Sequence, residues 1–225
     1  MKHATLSASA SSRWLNCPGS RKAEKPYIGL DNSNVYTLEG ERAHELADIC
    51  LKNEQDAEEY VGRQIVDEFI ESDMAQFVQE YLDYVRAYLG TDCELYTEER
   101  VDLSHVVPDG FGTLDSAILD HANRKLHIFD LKYGRGVQVY AFENSQGLLY
   151  ASGMLNELEF LDAFDNIVIH IVQPRKFTPP PYEVSIADLH AFNSHVAEKA
   201  ALAMTDSAPR VPGEIQCQWC AAKGD

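Results

Sequence analysis

Residues 112–134 read GTLDSAILDHANRKLHIFDLKYG and consist of two apolar runs joined by a short polar segment. The runs are Thr113–Leu119 and Leu126–Lys132, and His121–Arg124 between them has the composition of a hairpin loop. We therefore predict two adjacent antiparallel strands, in which Asp120 pairs with Lys125.

The same register brings two acidic residues together. Counting outward from the loop pairs Asp115 with Asp130, and directly opposed side chains share a face with Cβ atoms about 4.5 to 5.5 Å apart. Because strand side chains alternate, Lys132 lies on the face of Asp130. Two carboxylates and an ammonium group are expected at one end of the hairpin.

Both faces of this predicted hairpin are largely apolar. The face of Asp130 also carries Thr113, Ala117, Leu119, Leu126 and Ile128. The opposite face carries Leu114, Ile118, Phe129 and Leu131. We expect the hairpin to lie in the middle of a sheet that is covered on both sides.

Juxtaposed carboxylates in such a place repel each other and are costly to desolvate. A divalent cation removes both problems, and Mg²⁺ typically takes one or two carboxylates together with waters and substrate phosphate. The pattern is thus a candidate metal site for phosphodiester chemistry. The alternative is a simple ion pair between Asp130 and Lys132 at a strand end.

Size and charge restrict the class of protein. A chain of 225 residues with 45% hydrophobic content is expected to form a single domain, 1–225, with its own core. The net charge of −17 disfavours nonspecific binding to nucleic acid, although a locally basic groove is compatible with it. No run is apolar enough for a membrane span or a signal peptide, which predicts no membrane contact and a cytoplasmic location.

The remaining elements follow from hydrophobic periodicity. The predictions are a helix from Thr37 to Leu51, acidic helices within Glu54–Leu89, a strand Glu94–Leu103, a helix from about Ala141 to Glu157, strands Asn166–Gln173 and Tyr182–Ser185, and a helix Ile186–Met204. Helices, three strands, a helix, two strands and a helix in this order predict an α/β fold with a central mixed sheet flanked by helices.

Several polar residues in these elements can each be interpreted as structural or as functional. His44 borders the apolar stripe of the first helix and is either a packed histidine or a metal ligand beside the aspartates. Glu98 or Glu99 on the neighbouring strand could reach the site, but the register of that strand is not fixed by the sequence. Gln146 and Tyr150 are four apart and share a helical face, a spacing that also arises by chance.

Five cysteines without a secretory signal indicate metal binding or burial rather than disulfides. Cys217-x-x-Cys220 has the spacing of two thiolates that bind one metal or cluster, and Cys17 is the natural third ligand. The segment before Pro18 is expected to be a mobile tail pinned by Trp14 or by Cys17.

Taken together, these pieces resemble the PD-(D/E)xK nuclease superfamily, specifically its RecB-like branch and phage-type members with an iron-sulfur cluster. The matching residues occur in family order: His44, Gly112-Thr113-Leu114-Asp115, Asp130-Leu131-Lys132 and Gln146-Gly147-Leu148-Leu149-Tyr150. The resemblance implies a restriction-endonuclease-like core with a helical insertion at about 54–89.

The resemblance also implies catalytic roles. His44, Asp115, Asp130 and the backbone carbonyl of Leu131 would hold Mg²⁺ or Mn²⁺. Lys132 would orient the attacking water or stabilise charge in the transition state. Gln146 and Tyr150 would support the site or touch the DNA backbone, which makes His44, Asp115, Asp130, Lys132, Gln146 and Tyr150 the implied catalytic set.

The cysteines match the family's split cluster site. The segments 13–20 and 214–225 would join the two ends of the chain at a 4Fe–4S cluster, with Cys17, Cys217 and Cys220 as ligands. The family's fourth cysteine has no counterpart in this sequence. By analogy, the cluster would clamp the segments together rather than perform redox chemistry.

The function implied by the resemblance is metal-dependent DNA exonuclease activity on double-stranded ends, for phage recombination or DNA-end processing. Possible partners are a single-strand annealing protein and further copies of the chain, in the host cytoplasm if the gene is phage-borne. One alternative is a nuclease that trims DNA for CRISPR adaptation. Another is a non-catalytic scaffold of the same fold that binds a partner through its acidic surface.

Overall fold

A computed structural model of the protein describes residues 4–27, 35–66, 68–157 and 164–224. Within these residues, the central sheet contains five strands. They are β3 (Cys93–Asp102), β4 (Phe111–Asp120), β5 (Lys125–Leu131), β6 (Asn166–Val172) and β7 (Tyr182–Ser185), in spatial order β3-β4-β5-β6-β7. Strands β5 and β6 are parallel and the other neighbours are antiparallel. The predicted α/β class with a mixed sheet is confirmed.

Helices cover both faces of this sheet. The α-helices of the described residues are α1 (Ser11–Asn16), α2 (Ser20–Glu24), α3 (Val35–Asn53), α4 (Ser72–Arg86), α5 (Ser145–Glu157), α6 (Ile186–Ala203) and α7 (Glu214–Cys217). One apolar cluster packs the sheet against α1, α5 and α6, and a second packs it against α3 and α4. Within the described ranges, no helix is long and apolar enough to cross a membrane.

The predicted hairpin is present with the predicted register. Asp120 opposes Lys125, and pairing continues outward to Ser116 opposite Phe129. The Asp120 carboxylate accepts hydrogen bonds from the backbone N–H and side-chain amide of Asn123, at 3.0 and 2.7 Å, which closes the loop. The pairing of β4 with β5 ends at Ser116 and Phe129, so the predicted pair of Asp115 and Asp130 lies beyond it, and the Asp115 carboxylate instead accepts the backbone N–H of Leu131.

One predicted face assignment is wrong. Leu114 packs in the cluster with α5 and α6, whereas Ile118 packs in the cluster with α3 and α4, so these residues do not share a face. The reason lies on the neighbouring strand, where Glu98 has a φ of +46° and stands between the pairs Thr97–Ser116 and Glu99–Leu114. This local distortion reverses the alternation of side chains in β3 and β4.

The acidic region is less helical than predicted. Among the described residues of this region, 54–66 and 68–89, Ser72–Arg86 is the one α-helix; the part before it contains a 3-10 helix, Ala57–Tyr60, and a short hairpin of β1 (Gln64–Ile65) and β2 (Glu68–Phe69). A capping box between Asp56 and Glu59 closes the 3-10 helix, and Gly62 with a φ of +79° permits the turn that follows. Local polar bonding therefore prevails over the helical spacing.

Other boundaries shift by a few residues. The helix that carries His44 begins at Val35, so Thr37 lies inside it and is not its cap. The helix with Gln146 begins at Ser145 rather than near Ala141. The remaining predicted strands and the last helix lie within one residue of their predicted limits.

The described part of the segment before Pro18, residues 4–17, is folded rather than a mobile tail. Trp14 is buried, and its indole N–H donates to the carbonyl of Ser7 at 2.9 Å. The chain near Cys17 also packs against residues 209–222: the Gly19 N–H donates to the Pro209 carbonyl at 2.9 Å. The prediction of an aromatic anchor is confirmed, and tertiary contacts order the rest of the segment.

Candidate metal centre

Three potential metal ligands converge at one end of the sheet. Ligand atoms of His44, Glu98 and Asp115 all lie within 4.8 Å of one another. They come from α3, β3 and β4, respectively, so the group exists only in the folded chain. One imidazole and two carboxylates form a donor set suited to Mg²⁺ or Mn²⁺.

Hydrogen bonds fix the orientation of Asp115 within this group. Its Oδ1 atom lies 3.1 Å from Nδ1 of His44, and its Oδ2 atom accepts the backbone N–H of Leu131 at 2.6 Å. The second bond ties β4 to the end of β5, next to Asp130. Asp115 therefore connects the helix ligand with the hairpin.

Glu98 was a secondary sequence candidate, and the structure brings it into the group. Its position opposite Asp115 follows from the register on either side, Thr97 with Ser116 and Glu99 with Leu114. Glu99 is outside the group. The sequence signal was insufficient because nothing in β3 indicates the left-handed φ at Glu98 that sets the side-chain directions.

The pKa shifts within this group indicate an excess of negative charge at the site. Burial alone would lower the pKa of His44, but the carboxylates of Asp115, Asp130 and Glu98 raise it to about 9. Burial and the charge of Asp115 raise the pKa of Glu98 to about 7, against the opposing effect of His44. A divalent cation would supply the missing charge.

A second network lies beside the first. The Lys132 ammonium contacts Oδ2 of Asp130 at 2.8 Å and donates to Oε1 of Gln146 at 3.1 Å. The Gln146 amide in turn donates to Oδ1 of Asp130 at 2.9 Å and to the Tyr150 hydroxyl at 3.3 Å. Four predicted site residues, which come from β5, the loop after it and α5, thus form one connected unit.

Burial shifts the pKa values of the charged residues in this network. The Asp130 side chain is only 3% exposed, and burial raises its pKa although Lys132 opposes the shift. Burial would lower the pKa of Lys132, but Asp130 and Asp115 raise it, so the ammonium stays charged. A charged lysine is therefore held beside a deeply buried carboxylate, in a fixed position.

Tyr150 is placed by a close backbone approach. A Cβ atom on Gly112 would lie 2.6 Å from the Tyr150 ring, so the ring packs directly on the glycine at the start of the predicted motif. Burial also raises the pKa of Tyr150, which keeps its hydroxyl protonated. Gly112 is thereby required for the support that Tyr150 gives to Gln146.

The sequence-predicted residues are brought together, with one rearrangement. His44 and Asp115 are direct neighbours, whereas the Asp130 carboxylate bonds to Lys132 and Gln146 and is outside the three-residue group. The Leu131 N–H bonds to Asp115. Metal binding by Asp130 and by the Leu131 carbonyl stays a prediction.

The three predicted cluster cysteines line one cavity of about 320 Å³ between α2 and the segment around α7. Backbone N–H groups point at two of the sulfurs, from Val211 to Cys17 at 3.2 Å and from Gly213 to Cys217 at 3.4 Å. Burial raises the pKa of the Cys220 thiol, against a backbone hydrogen bond from Ala222. Cys50 and Cys93 pack with the α3–α4 cluster instead.

Fold and site together define an α/β protein whose mixed sheet carries an acidic, histidine-containing centre at one end. The chain belongs to a family described as "Protein of unknown function (DUF2800)", whose model matches residues 3–225. A solved structure described as "Crystal structure of SSO0001" is 15% identical over 94% of this chain and 92% of that chain, with a TM-score of 0.31. At that TM-score the likeness does not define a shared fold.

Proposed function

We propose that this protein is a metal-dependent deoxyribonuclease of the PD-(D/E)xK type, with a restriction-endonuclease-like core, that hydrolyses phosphodiester bonds at DNA ends. The observation that carries the proposal is the adjacency of two units: the metal-ligand group of His44, Glu98 and Asp115, and Lys132 held by Asp130 and Gln146. Leu131 joins them, because it follows Asp130 and its N–H bonds to Asp115.

The donor set fits a hard divalent cation. His44, Glu98 and Asp115 would hold it, and the charge of Asp130 also acts on His44. Such a cation supplies polarisation of the scissile phosphate and lowers the pKa of a bound water. Burial and the neighbouring charge of Asp115 raise the pKa of Glu98, and a bound cation would offset both effects.

The protein's own residues would position and neutralise the reacting groups. Lys132 has a fixed ammonium that can orient a water or offset charge on a phosphate oxygen. Gln146 bonds both Lys132 and Asp130, so it aligns the two side chains without reacting itself. The Tyr150 hydroxyl accepts a hydrogen bond from the Gln146 amide and so helps to hold Gln146 in place.

The cysteine cavity supports the proposal of a 4Fe–4S cluster held by Cys17, Cys217 and Cys220. The fit is incomplete in ligands but good in environment, because the sulfurs face one cavity and receive backbone N–H donors that stabilise thiolates. Around it, Arg13 donates to the Trp219 carbonyl at 2.8 Å, and Glu24 accepts the Ala221 N–H at 2.9 Å. The role of the cluster would be to join these segments.

A second candidate function is a scaffold that binds a basic protein partner. It is favoured by a groove of about 620 Å³ between the 3-10 helix and α4, whose acidic lining includes Glu58, Glu80 and Asp83. The net charge of −17 agrees with such a role. A scaffold has no need of the buried Asp130–Lys132 unit, and for this reason the nuclease is preferred.

The test is degradation of end-labelled linear duplex DNA and of a closed circle by anaerobically purified full-length protein. We expect degradation of the linear DNA with Mg²⁺ or Mn²⁺, none with EDTA, and none with Lys132→Ala. Cleavage of the circle as well would replace the exonuclease by an endonuclease. No cleavage in any metal would favour the scaffold.

A further inference from the structure

Three exposed aromatic side chains lie on the two loops that leave the site end of the sheet. Tyr140 and Phe142, on the loop 133–144, are 62% and 68% exposed, and Phe177, on the loop 173–181, is 61% exposed. Phe142 packs edge to face on Tyr182, with ring centroids 5.1 Å apart. We call Tyr140, Phe142 and Phe177 the aromatic platform.

The loops start where the site residues end. The first loop follows Lys132 and leads to Gln146, and these two side chains touch at 3.1 Å, which closes the loop at its base. The second loop follows β6, the parallel neighbour of β5, and the Lys132 N–H donates to the Val172 carbonyl at 2.8 Å. Both loops therefore leave the carboxyl ends of adjacent parallel strands, where open α/β sheets bind ligands.

A buried glutamine holds the two loops together. Gln173 is 2% exposed, and its amide donates to the carbonyls of Gly134 and Val137 at 3.3 and 3.0 Å. Gln138 then donates to Oε1 of Gln173 at 2.9 Å and to the carbonyl of Phe177 at 2.8 Å. The aromatic rings are exposed on loops with internal bonding, so their exposure is not a consequence of missing contacts.

The two loops also carry exposed basic side chains, although the whole chain is acidic. Residues 132–143 and 173–182 contain four basic side chains and one acidic side chain, Glu143; Lys132 pairs with Asp130 and Arg175 pairs with Glu39, whereas Arg135 and Lys176 are exposed. Exposed Arg135 and Lys176 lie on the same loops as the aromatic residues. Basic groups beside exposed rings are the combination that binds a single nucleic-acid strand.

We propose that the aromatic platform binds single-stranded DNA by base stacking and delivers one unpaired strand to the metal centre. This inference rests on the proposed nuclease function and adds the form of its substrate. Duplex DNA has no free base faces for the rings, so the platform favours a frayed or single-stranded end. The exposed side chains of Arg135 and Lys176 would contact the phosphates of the same strand.

Two measurements separate this inference from the nuclease proposal itself. The first is anisotropy of a labelled single-stranded oligonucleotide and of the matching duplex with full-length protein in EDTA. The second is Mn²⁺-dependent cleavage of the oligonucleotide and of bis-(para-nitrophenyl) phosphate, a small diester without bases. The small diester reports on the metal centre independently of the platform.

The variants are Tyr140→Ala and Phe177→Ala, with Phe69→Ala as the matched control, because Phe69 is also 62% exposed but lies on the β1–β2 hairpin. We expect about tenfold weaker single-strand binding for each platform variant and wild-type binding for the control. Cleavage of the oligonucleotide should fall more than cleavage of the small diester.

The proposed platform would be contradicted if wild-type protein bound single strand and duplex equally. It would also be contradicted if Phe69→Ala weakened single-strand binding as much as the platform variants do. Cleavage of the small diester together with unchanged single-strand binding in both platform variants would retain the nuclease and remove the platform. Absence of small-diester cleavage combined with selective single-strand binding that the platform variants lose would retain the platform as a binding site and remove the nuclease.

Discussion

Nδ1 of His44 lies 3.1 Å from Oδ1 of Asp115, although 71 positions separate the two residues in the chain. The contact joins a helix on one face of the sheet to a central strand. It places an imidazole beside two carboxylates at the site end of the hairpin, where Glu98 completes the group. This relationship turns three separate polar residues into one metal-binding candidate.

Glu98 and Glu99 offer a matched test of the metal-ligand group. Glu98→Gln should weaken Mn²⁺ binding about tenfold or more, because it removes one of two anionic ligands, whereas Glu99→Gln should leave binding unchanged. Isothermal titration with Mn²⁺ measures both. Equal weakening in the two variants would mean that total acidity, and not this group, determines binding.

Lys132 and Lys125 form a second matched pair, at opposite ends of β5. Lys132→Ala should reduce metal-dependent cleavage at least about a hundredfold, the loss typical of an electrostatic contact in the transition state. Lys125 is ion-paired with Glu183 at 2.9 Å near the surface, so Lys125→Ala should keep cleavage near the wild-type rate.

Folding must be checked alongside, because Lys132→Ala leaves the carboxylate of Asp130 buried without its cation. Circular dichroism and a urea titration measure this. If Lys132→Ala does not fold, Lys132→Met takes its place in the comparison, because methionine keeps the apolar part of the lysine side chain. Full activity of a folded Lys132 variant would exclude the proposed role.

The buried histidine pair predicts acid sensitivity. Nδ1 of His127 lies 3.0 Å from Nε2 of His170, and Nδ1 of His170 lies 3.1 Å from the Tyr84 hydroxyl. Burial, together with the neighbouring His127, lowers the pKa of His170 to about 3, and burial lowers the pKa of His127 against the opposing charge of Asp120. Both imidazoles are therefore neutral in the folded protein at neutral pH.

The unfolded chain binds protons on these histidines near pH 6.5, whereas the folded chain binds one on His170 only near pH 3. Stability is thus fully present above pH 6.5 and is lost as the pH falls below it, by about 2 kcal/mol from His170 between pH 6.5 and 5. Urea titrations of wild type and His170→Phe at pH 7 and pH 5 measure this. A pH dependence unchanged in the variant would contradict the assignment.

Cys17 should be required for any iron-sulfur chromophore. Cys17→Ser should remove the absorbance of anaerobically purified protein and make residues 209–224 more sensitive to protease, because these residues pack around the cysteine cavity. Cys93→Ser is the control, since Cys93 packs near Tyr88 on the far side of the sheet. Unchanged colour and proteolysis in Cys17→Ser would remove Cys17 from the ligand set.

The sequence was sufficient for the hairpin and for the order of elements. Two apolar runs around a polar loop permit a single register that buries both, so Asp120 opposite Lys125 could be predicted without tertiary information. The pairing of His44 with the hairpin end was predictable only as an implication of the family resemblance. The spacing of residues along the chain does not show which elements distant in sequence come into contact.

Where prediction was wrong, tertiary or local polar bonding prevailed. The helical spacing in residues 54–71 competes with the capping box at Asp56 and the turn at Gly62, and the turns prevail. The segment around Trp14 has little apolar periodicity of its own and becomes ordered by packing against α5, α6 and α7. Neither competition can be resolved from local propensity.

By itself, the sequence determined the class of fold, the hairpin with its two aspartates and lysine, and the cysteine spacing, because these depend on alternation and on short-range geometry. The tertiary structure decided which carboxylates meet His44, since the positive φ of Glu98 redirects the side chains of β3 and β4 toward the helix. It also decided that Asp130 lies against Lys132 and Gln146, because a buried carboxylate needs an opposite charge and hydrogen-bond donors close by.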